Sequence, residues 1–365
     1  MINVLMSSTT PLQKDGITSV MLNLFNHIDK TNYKIDFIAI NEPEEQITNE
    51  IVKGGGTIKV ISRDIRRPLR FINDYASICK KYDVVHVHGN SATMTLEMIA
   101  AWLAGVKVRI AHSHNTYCTS KIIDKLCRPI FYALCNRRVA CGEEAGKWLF
   151  KKRSFSVINN GIDTEKYSFD TTMRKSVRDR LRWNESIIVG NVANFLYAKN
   201  HDYIIDVFYE LQKTDNAYRL LLLGTGELID NIIEKVKRLR IDDKVCFIGS
   251  VSNVEDYLSA MDIVLMPSLK EGFPLTLVEE QSNGLCCVVS NTITQKTNIT
   301  GNVYFLPLNI SPYKWAKYIE DLLNVKHNRQ LMCIEAIDSI KKNGYDIKDS
   351  VKKLERIYSE SIKLD

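Results

Sequence analysis

The feature that most constrains this chain is an alternation of short apolar runs with amphipathic stretches, which occurs in two successive series. The first series contains INVLMSS, KIDFIAI, TIKVIS, DVVHVHG, VKVRIAHSH, RRVACG and FSVINNG. The second contains SIIVGNVA, YRLLLLG, KVCFIG, DIVLMPS, LCCVVS and NVYFLPL. Such runs, rich in Val and Ile and separated by helical patterns, are typical of βα units whose parallel strands are buried on both faces. The sequence therefore predicts two α/β domains, each with a parallel sheet.

The junction between the two series lies in a polar segment, Asn159–Asp170, which contains an Asn-Asn-Gly turn signal. We therefore predict a first domain of residues 1–163, a second domain of residues 164–340 and a helical tail of residues 341–365. A length of 365 residues agrees with this division, because one compact core seldom serves so long a chain. Four apolar residues of the tail recur with helical spacing and predict one shared face: Ile347, Val351, Leu354 and Ile357.

The cysteines and the hydropathy of the chain favour a cytoplasmic protein. None of the nine cysteines occurs in a CxxC pair, so reduced and mostly buried thiols are expected. No stretch approaches the roughly 18 to 20 uninterrupted apolar residues that span a bilayer. The starting sequence MINVLMSSTTPLQ also lacks the basic region and apolar segment of a signal peptide.

The positive charge is concentrated in the first half of the chain. Residues 1–165 carry 22 Lys and Arg against 16 Asp and Glu, whereas residues 166–365 carry 27 of each sign. This asymmetry suggests an anionic partner, and the runs RDIRRPLRF (63–71) and KWLFKKRSF (147–155) mix basic with apolar residues as membrane-surface segments do. The alternative is a solvated rim from which Trp148 and Leu149 point into the core.

Two glutamates, Glu271 and Glu279, flank the predicted start of a helix that follows the strand DIVLMPS. Pro274 suits the first helical position, and the N–H groups of residues 275–277 would then favour a phosphate. Carboxylates would repel that phosphate, so we interpret the two glutamates as acceptors for hydroxyl groups. Taken alone, either glutamate could simply complement the helix dipole.

Several segments together resemble the retaining glycosyltransferases of family 4, which have the GT-B fold. The resemblance is most specific in VCFIGSVSNVEDYLSAMDIVLMPSLKEGFPLTLVEEQSNGLCCVVSNTI (245–293), and extends to GNVANFLYAKNHDYIIDVF, LLLLGTGEL, VINNGIDTEKY and IAHSHNT. It covers nearly the whole chain and is closest to the branch that builds bacterial capsule, exopolysaccharide or O-antigen units. It implies two Rossmann-like domains that face each other across a cleft. The first would bind the acceptor and the second the donor, and the C-terminal helix would cross back to the first domain.

The resemblance also assigns roles to individual residues. It places Glu271 on the donor sugar, Glu279 on the nucleotide ribose, Lys199 on the diphosphate and His114 near the scissile bond, so His114, Lys199 and Glu271 are the catalytic candidates. For Lys199 the alternative is a solvated loop residue, and for His114 a core or cleft-lining histidine. The remaining candidates for donor contacts are Gly16, Asn194, Gly224, Phe273, Pro274, Leu275 and Thr276. Gly16 matches a loop glycine that lets the backbone approach phosphates or acceptor.

Asn194 is a departure from the family pattern. Relatives often have Gly-Arg-Phe before the lysine, and the arginine is a second cation for the diphosphate, whereas this chain has Ala-Asn-Phe. Losing a cation beside a leaving diphosphate should weaken transition-state stabilisation, because such sites act largely through electrostatics. Its neighbours Ala193, Phe195 and Leu196 supply no charge, so a replacement would have to come from elsewhere in the fold.

Two further patterns have competing interpretations. The segment GTGELID begins like a dinucleotide-binding fingerprint but lacks the third glycine, so we interpret it as a tight turn. Four histidines, His86, His88, His112 and His114, lie in pairs on one face of each of two predicted strands. Imidazole is a common zinc ligand, but no second partner for the rings and no cysteine is evident. Core and cleft-lining roles are therefore favoured, and no metal is expected.

We predict a retaining transferase that moves a hexose or N-acetylhexosamine from a nucleotide-sugar, with a UDP-sugar as the expected donor. The resemblance and the basic first half point to a polyprenyl-diphosphate-linked saccharide as acceptor, at the inner face of the membrane. No cofactor beyond the donor and no nucleic-acid partner are expected. The alternatives are a GT-B sugar-nucleotide epimerase and a non-catalytic nucleotide-sugar-binding partner of a transferase.

Overall fold

A computed structural model describes residues 1–64, 66–325 and 328–363, the last three of these by their backbone alone. The chain forms two compact units. Unit 1 comprises Met1–Gly161 together with Gly344–Asp365, and unit 2 comprises Ile162–Asn343. The divisions lie close to the boundaries that the sequence predicts at residues 163 and 340, and the helical tail is part of unit 1.

Unit 1 is built on a seven-stranded parallel sheet with the order β3-β2-β1-β4-β5-β6-β7. Its strands are β1 (Ile2–Ser8), β2 (Tyr33–Ala39), β3 (Ile58–Val60), β4 (Val84–Gly89), β5 (Val108–Ser113), β6 (Arg137–Ala140) and β7 (Ser156–Val157). Its helices are α1 (Gly16–His27), α2 (Glu45–Lys53), α3 (Pro68–Cys79), α4 (Thr95–Leu103), α5 (Lys121–Leu134), α6 (Glu143–Phe150) and the last helix of the chain, α14 (Ile347–Lys363).

Unit 2 is built on a six-stranded parallel sheet with the order β10-β9-β8-β11-β12-β13. Its strands are β8 (Ile187–Val192), β9 (Tyr218–Leu223), β10 (Val245–Gly249), β11 (Ile263–Met266), β12 (Cys286–Ser290) and β13 (Val303–Leu306). Its helices are α7 (Thr171–Leu181), α8 (His201–Thr214), α9 (Ile229–Arg238), α10 (Val254–Ala260), α11 (Leu275–Ser282), α12 (Pro312–Leu323) and α13 (Arg329–Lys342).

These two sheets confirm the predicted fold class, because each apolar run identified in the sequence contains one strand. The strands β4, β11 and β12 are buried along their whole length. A strand that is covered on both faces is mostly apolar, which explains the continuous apolar sequence of β11, and the two histidines of β4 are exceptions. The sequence pattern was therefore sufficient to locate the strands.

The final helix, α14, packs onto unit 1, as the resemblance implied. It contacts α1 and β5. Its buried face contains Val351, Leu354 and Tyr358, and Ile347 is also buried. Ile357, which the sequence placed on this face, is only partly buried. The Tyr33 hydroxyl donates to the Glu355 carbonyl over 3.0 Å, so the helix is held by hydrogen bonding as well as by packing.

The two basic runs are only partly surface segments. In the run 147–155, Leu149 is buried and Trp148 packs against the core of unit 1, so the rim interpretation is correct for its apolar residues. In the run 63–71, Arg63 Nε lies 2.6 Å from the buried carboxylate of Glu97, and Phe71 is buried. Ile65 of that run lies outside the described residues.

Two other expectations can be compared with the structure. All nine cysteines are free and six of them are buried, in agreement with the predicted buried thiols. Within residues 1–64, 66–325 and 328–363, no helix combines the length and the apolar composition needed to cross a membrane.

The order of each sheet reverses at one point, between β1 and β4 in unit 1 and between β8 and β11 in unit 2. Loops that follow the two strands at such a point diverge to opposite sides and leave a crevice, where open α/β sheets bind their ligands. The loops after β8 and β11 are those that carry Lys199 and Glu271.

Candidate active site

Lys199 and Glu271 form an ion pair at the reversal point of the unit 2 sheet. Lys199 ends a short 3-10 turn, Tyr197–Lys199, just before α8, and its Nζ contacts Glu271 Oε1. Two hydrogen bonds join the same loops: Leu269 N donates to the Ala198 carbonyl over 2.8 Å, and the Asn200 amide donates to the Pro267 carbonyl over 3.0 Å. The sequence assigned the lysine and the glutamate to different parts of a donor, and the structure brings them into direct contact.

Both members of this pair are mostly shielded from water, because the side chain of Lys199 is 25% exposed and that of Glu271 is 12% exposed. An ion pair in such a position restrains both side chains, since breaking it would leave a poorly solvated charge. The lysine and the glutamate therefore form one structural unit at the strand ends.

Helix α11 begins immediately after the Glu271 loop. Pro274 is its N-cap, with φ −68° and ψ 119°, and the first helical residue is Leu275. The prediction that Pro274 is the first helical residue was therefore wrong by one position, because its ψ is extended. In the described part of the chain no side chain caps this helix. The first N–H groups of α11, which include those of Leu275 and Thr276, thus remain available to an anion, and Phe273 precedes them in the loop.

Glu279 lies on the second turn of α11, and burial raises its pKa from the ordinary 4.5 to about 7. The Tyr167 hydroxyl hydrogen-bonds to this carboxyl group, and the charge of Lys166 favours its ionised form. Tyr167 was not among the residues singled out from the sequence. The signal was its place in VINNGIDTEKY, a segment that the resemblance already included.

Glu280 is a second residue that the sequence did not single out. Its side chain is fully buried, and neither carboxyl oxygen has a hydrogen-bond partner among the described residues. Burial, together with the neighbouring Glu279, raises its pKa well above the usual range, which favours the neutral form of this acid. The sequence signal that could have indicated burial of Glu280 was its position in a helix that precedes an apolar strand.

Asn194 and Gly224 lie in loops that pack against each other. Phe195 N donates to the Thr225 carbonyl over 2.8 Å. Gly224 has φ +133°, and a Cβ there would lie 2.1 Å from the Ala193 carbonyl oxygen, so only glycine fits. The GTG segment is therefore a tight turn, as we interpreted it. The side chain of Asn194 is exposed and has no hydrogen bond within the described ranges.

Unit 1 holds the two remaining candidates, Gly16 and His114. Gly16 is the first residue of α1, which Asp15 caps by accepting from Thr18 N over 2.8 Å. A Cβ at Gly16 would meet no atom within 4 Å, so the expected loop glycine is instead a helix start that does not require glycine.

His114 follows β5, and its Nε2 lies 2.8 Å from Nδ1 of His88. Burial lowers the pKa of His114 to about 3, which keeps the ring neutral.

Each unit matches a family of known proteins. Residues 14–166 match the family described as Glycosyltransferase Family 4, and residues 173–347 match Glycosyl transferases group 1. The putative glycosyltransferase EpsF of Bacillus subtilis is 28% identical, over 97% of this chain and 96% of that protein. An Escherichia coli enzyme named UDP-Gal:alpha-D-GlcNAc-diphosphoundecaprenol alpha-1,3-galactosyltransferase is 30% identical over 58% of each chain.

A solved structure shares the fold over the whole chain. The crystal structure of Anabaena Alr3699/HepE in complex with UDP superposes with a TM-score of 0.78 and 13% identity, and covers 99% of this chain and all of that one. At this identity the likeness concerns the fold alone.

The raised pKa of Glu279 leads to a prediction about stability. Between pH 4.5 and 7 the folded state retains a proton that the unfolded state has released, so the free energy of unfolding falls as the pH rises through this window. Glu279→Gln cannot ionise and should escape this loss. Relative to the wild type, we expect its free energy of unfolding to rise by about 3 kcal/mol between pH 4 and pH 8.

Urea denaturation of both full-length proteins at the two pH values measures this difference. The groups around Glu279 are present in both proteins: Lys166, Tyr167, Glu255 and Glu280. Glu234→Gln makes the same substitution on an exposed position of α9 and controls for the lost negative charge. The prediction would be contradicted if Glu279→Gln and the wild type differed in free energy of unfolding by the same amount at both pH values.

Proposed function

Because this chain is a glycosyltransferase with the GT-B fold, we propose that it is a retaining family 4 enzyme of surface-polysaccharide synthesis. Its donor is a UDP-sugar that carries a hexose or N-acetylhexosamine, and its acceptor is a saccharide on polyprenyl diphosphate. The observation that carries the proposal is the Lys199–Glu271 pair beside the uncapped start of α11, at the reversal point of the unit 2 sheet.

These groups suit the departure of a nucleoside diphosphate. Lys199 and the first N–H groups of α11 stabilise the negative charge that develops on the diphosphate as the bond to the sugar breaks. A phosphate oxygen that binds Lys199 replaces Glu271 as its partner and frees that carboxylate to accept from a sugar hydroxyl. Glu279 accepts from the ribose, and His114, with its neutral ring, contacts the transferred sugar. No protein nucleophile is required in this scheme.

One relative supports the choice of donor and acceptor. The E. coli relative carries UDP-Gal and diphosphoundecaprenol in its name. Further similar proteins are named as O-antigen and amylovoran biosynthesis glycosyltransferases. We extend this chemistry to the present chain.

A cavity in unit 1 suits the diphosphate of the acceptor. Its volume is about 380 Å³, and the residues that line it include Thr116, Tyr117, Lys121, Arg128, Trp148 and Lys151. Three of these side chains are cations, and Arg128 is held in place by Asp124 at 2.8 Å. The cavity wall begins two residues after His114 in the chain, which is the residue that we assign to the transferred sugar.

Helix α5, next to this cavity, presents an apolar face to solvent. Ile122, Leu126 and Ile130 are 77%, 73% and 50% exposed, and they recur every four residues on one side of the helix. Lys121 and Lys125 flank them and are exposed. In α3, Leu69 is 74% exposed beside the exposed Arg70. An apolar stripe with a cationic border suits the surface of an anionic membrane, where a lipid-linked acceptor would be found.

Leu126→Glu tests this membrane contact. Losing a leucine that would insert into the membrane and adding a negative charge should weaken binding to vesicles that contain anionic phospholipid by at least about tenfold. Co-sedimentation measures the bound fraction. The control is Leu331→Glu, which changes a leucine of α13 that is 56% exposed. Equal binding by wild type and Leu126→Glu, or wild-type binding that does not respond to anionic lipid, would contradict the proposal.

The reaction itself is tested with a panel of UDP-, GDP- and dTDP-sugars plus polyprenyl-diphosphate-linked saccharides, by measuring nucleotide release and lipid-linked product. We expect release of UDP from one UDP-sugar, with the anomeric configuration retained in the product. Lys199→Met should lower kcat by about 100-fold or more, because it removes a charge that stabilises the leaving group. Lys213→Met, on an exposed part of α8, should retain activity. Donor binding without turnover across the acceptor panel would refute the proposed reaction.

Asn194 gives a separate prediction. Because its side chain is exposed and has no hydrogen bond among the described residues, an arginine can replace it without breaking a contact. Asn194→Arg should raise kcat by restoring the cation that relatives often have beside the diphosphate. Asn194→Met, which is similar in reach but uncharged, controls for side-chain size. No gain in Asn194→Arg over Asn194→Met would show that the charge is already supplied by another group.

A further inference from the structure

Four histidines form a continuous cluster inside unit 1. Strands β4 and β5 are paired in parallel, with His88 opposite His112 and His86 opposite Ile110. The ring centroids of neighbouring histidines are 4.2 to 5.3 Å apart. His86, His88 and His112 are fully buried. The proposed transfer reaction uses only His114, so the other three rings need a separate explanation.

The hydrogen bonds within the cluster leave several ring nitrogens without partners. His86 Nε2 lies 3.2 Å from His112 Nδ1, and His88 Nδ1 lies 2.8 Å from His114 Nε2. Within the described residues, His88 Nε2, His112 Nε2 and His114 Nδ1 have no partner. Each neutral ring has one N–H group and one lone pair, and leaving either unpaired in a buried site costs free energy. The cluster therefore has unused capacity to bind a ligand.

We propose that His86, His88 and His112 bind a zinc ion. One ring nitrogen from each of these residues lies within 4.8 Å of the other two. The three ligands are imidazoles, with no carboxylate among them, and such a nitrogen set favours zinc and similar transition metals over magnesium or calcium. The ion would occupy a buried position and would stabilise the fold.

One distance in the cluster already suits this ion. Two nitrogens bound to tetrahedral zinc at about 2.0–2.1 Å lie about 3.3 Å from each other. His86 Nε2 and His112 Nδ1 are 3.2 Å apart. The separation of these two nitrogens therefore suits zinc, and the proton between them would move to the other nitrogen of its own ring when the ion binds.

Tyr358 supplies the outer partner that the sequence did not reveal. Its side chain, from α14, is fully buried, and its hydroxyl lies 2.7 Å from His86 Nδ1. Histidines that bind a metal through one nitrogen generally hydrogen-bond through the other, which fixes the orientation of the ring. This contact comes from the other end of the sequence, so only the fold brings it to His86. A bound ion would thus connect β4 and β5 with α14.

Zinc binding by the full-length protein tests the proposal. After removal of metals with EDTA and exchange into metal-free buffer, we expect one equivalent of zinc to bind by calorimetry and to raise the melting temperature. The double variant His86→Gln/His112→Gln should lose this equivalent. His27→Gln, which changes a histidine in α1, should retain it. Tyr358→Phe should bind zinc about 10- to 100-fold more weakly.

X-ray absorption of the zinc-loaded wild type provides a measurement that does not depend on the variants. Imidazole nitrogens at about 2.0–2.1 Å are expected, whereas binding to any of the cysteines would place sulfur at about 2.3 Å. Circular dichroism shows whether the double variant is folded. If it is unfolded, the X-ray absorption spectrum of the zinc-loaded wild type alone tests the proposal. Failure of the wild type to bind zinc, sulfur around the metal, or undiminished binding in a folded double variant would overturn the proposal.

Discussion

Both units depend on one constraint, which is that a parallel sheet covered on both faces has little room for polar groups along its strands. Strand β11 shows this most clearly, because all four of its residues are apolar and buried. Charged side chains are therefore concentrated where the strands end. At the reversal point of the unit 2 sheet, the loops after β8 and β11 meet through the hydrogen bond between Ala198 and Leu269, which brings Lys199 next to Glu271. The fold thus positions the charged groups before any ligand contributes.

The groups that depart from this constraint are informative. His86 and His112 lie within buried strands, and Glu280 lies within a helix packed against one. His112 Nε2 and both carboxyl oxygens of Glu280 have no hydrogen-bond partner among the described residues. His86 Nε2 is paired only with the ring of His112. Apolar residues would pack at such positions at lower cost. For the histidines, the proposed zinc ion would be the ligand that offsets this cost. For Glu280, the raised pKa favours the neutral acid, but both oxygens lack a hydrogen-bond partner among the described residues.

The strands and the buried face of α14 could be predicted because period and length are local properties of the sequence. The motifs also located Lys199, Glu271 and Glu279, although their proposed roles go beyond what the fold itself establishes. The contact between Lys199 and Glu271 could not be predicted from spacing, since it depends on the order of strands in the sheet. The cap at Pro274 depends on one backbone angle, and the position of Gly16 at a helix start depends on the cap formed by Asp15.

The contact between Lys199 and Glu271 changes what the loss of an arginine at position 194 means. A lysine that already has a carboxylate partner presents less net charge to an incoming diphosphate than an unpaired lysine would. In the proposed reaction, binding would then exchange one anionic partner of Lys199 for another, and Glu271 would gain a sugar hydroxyl in return. The N–H groups at the start of α11 have no such competitor among the described residues, so they carry a larger share of the attraction. In the proposed reaction, with Asn194 uncharged, the backbone of α11 and the exchange of partners by Lys199 would together determine how strongly unit 2 stabilises the leaving diphosphate.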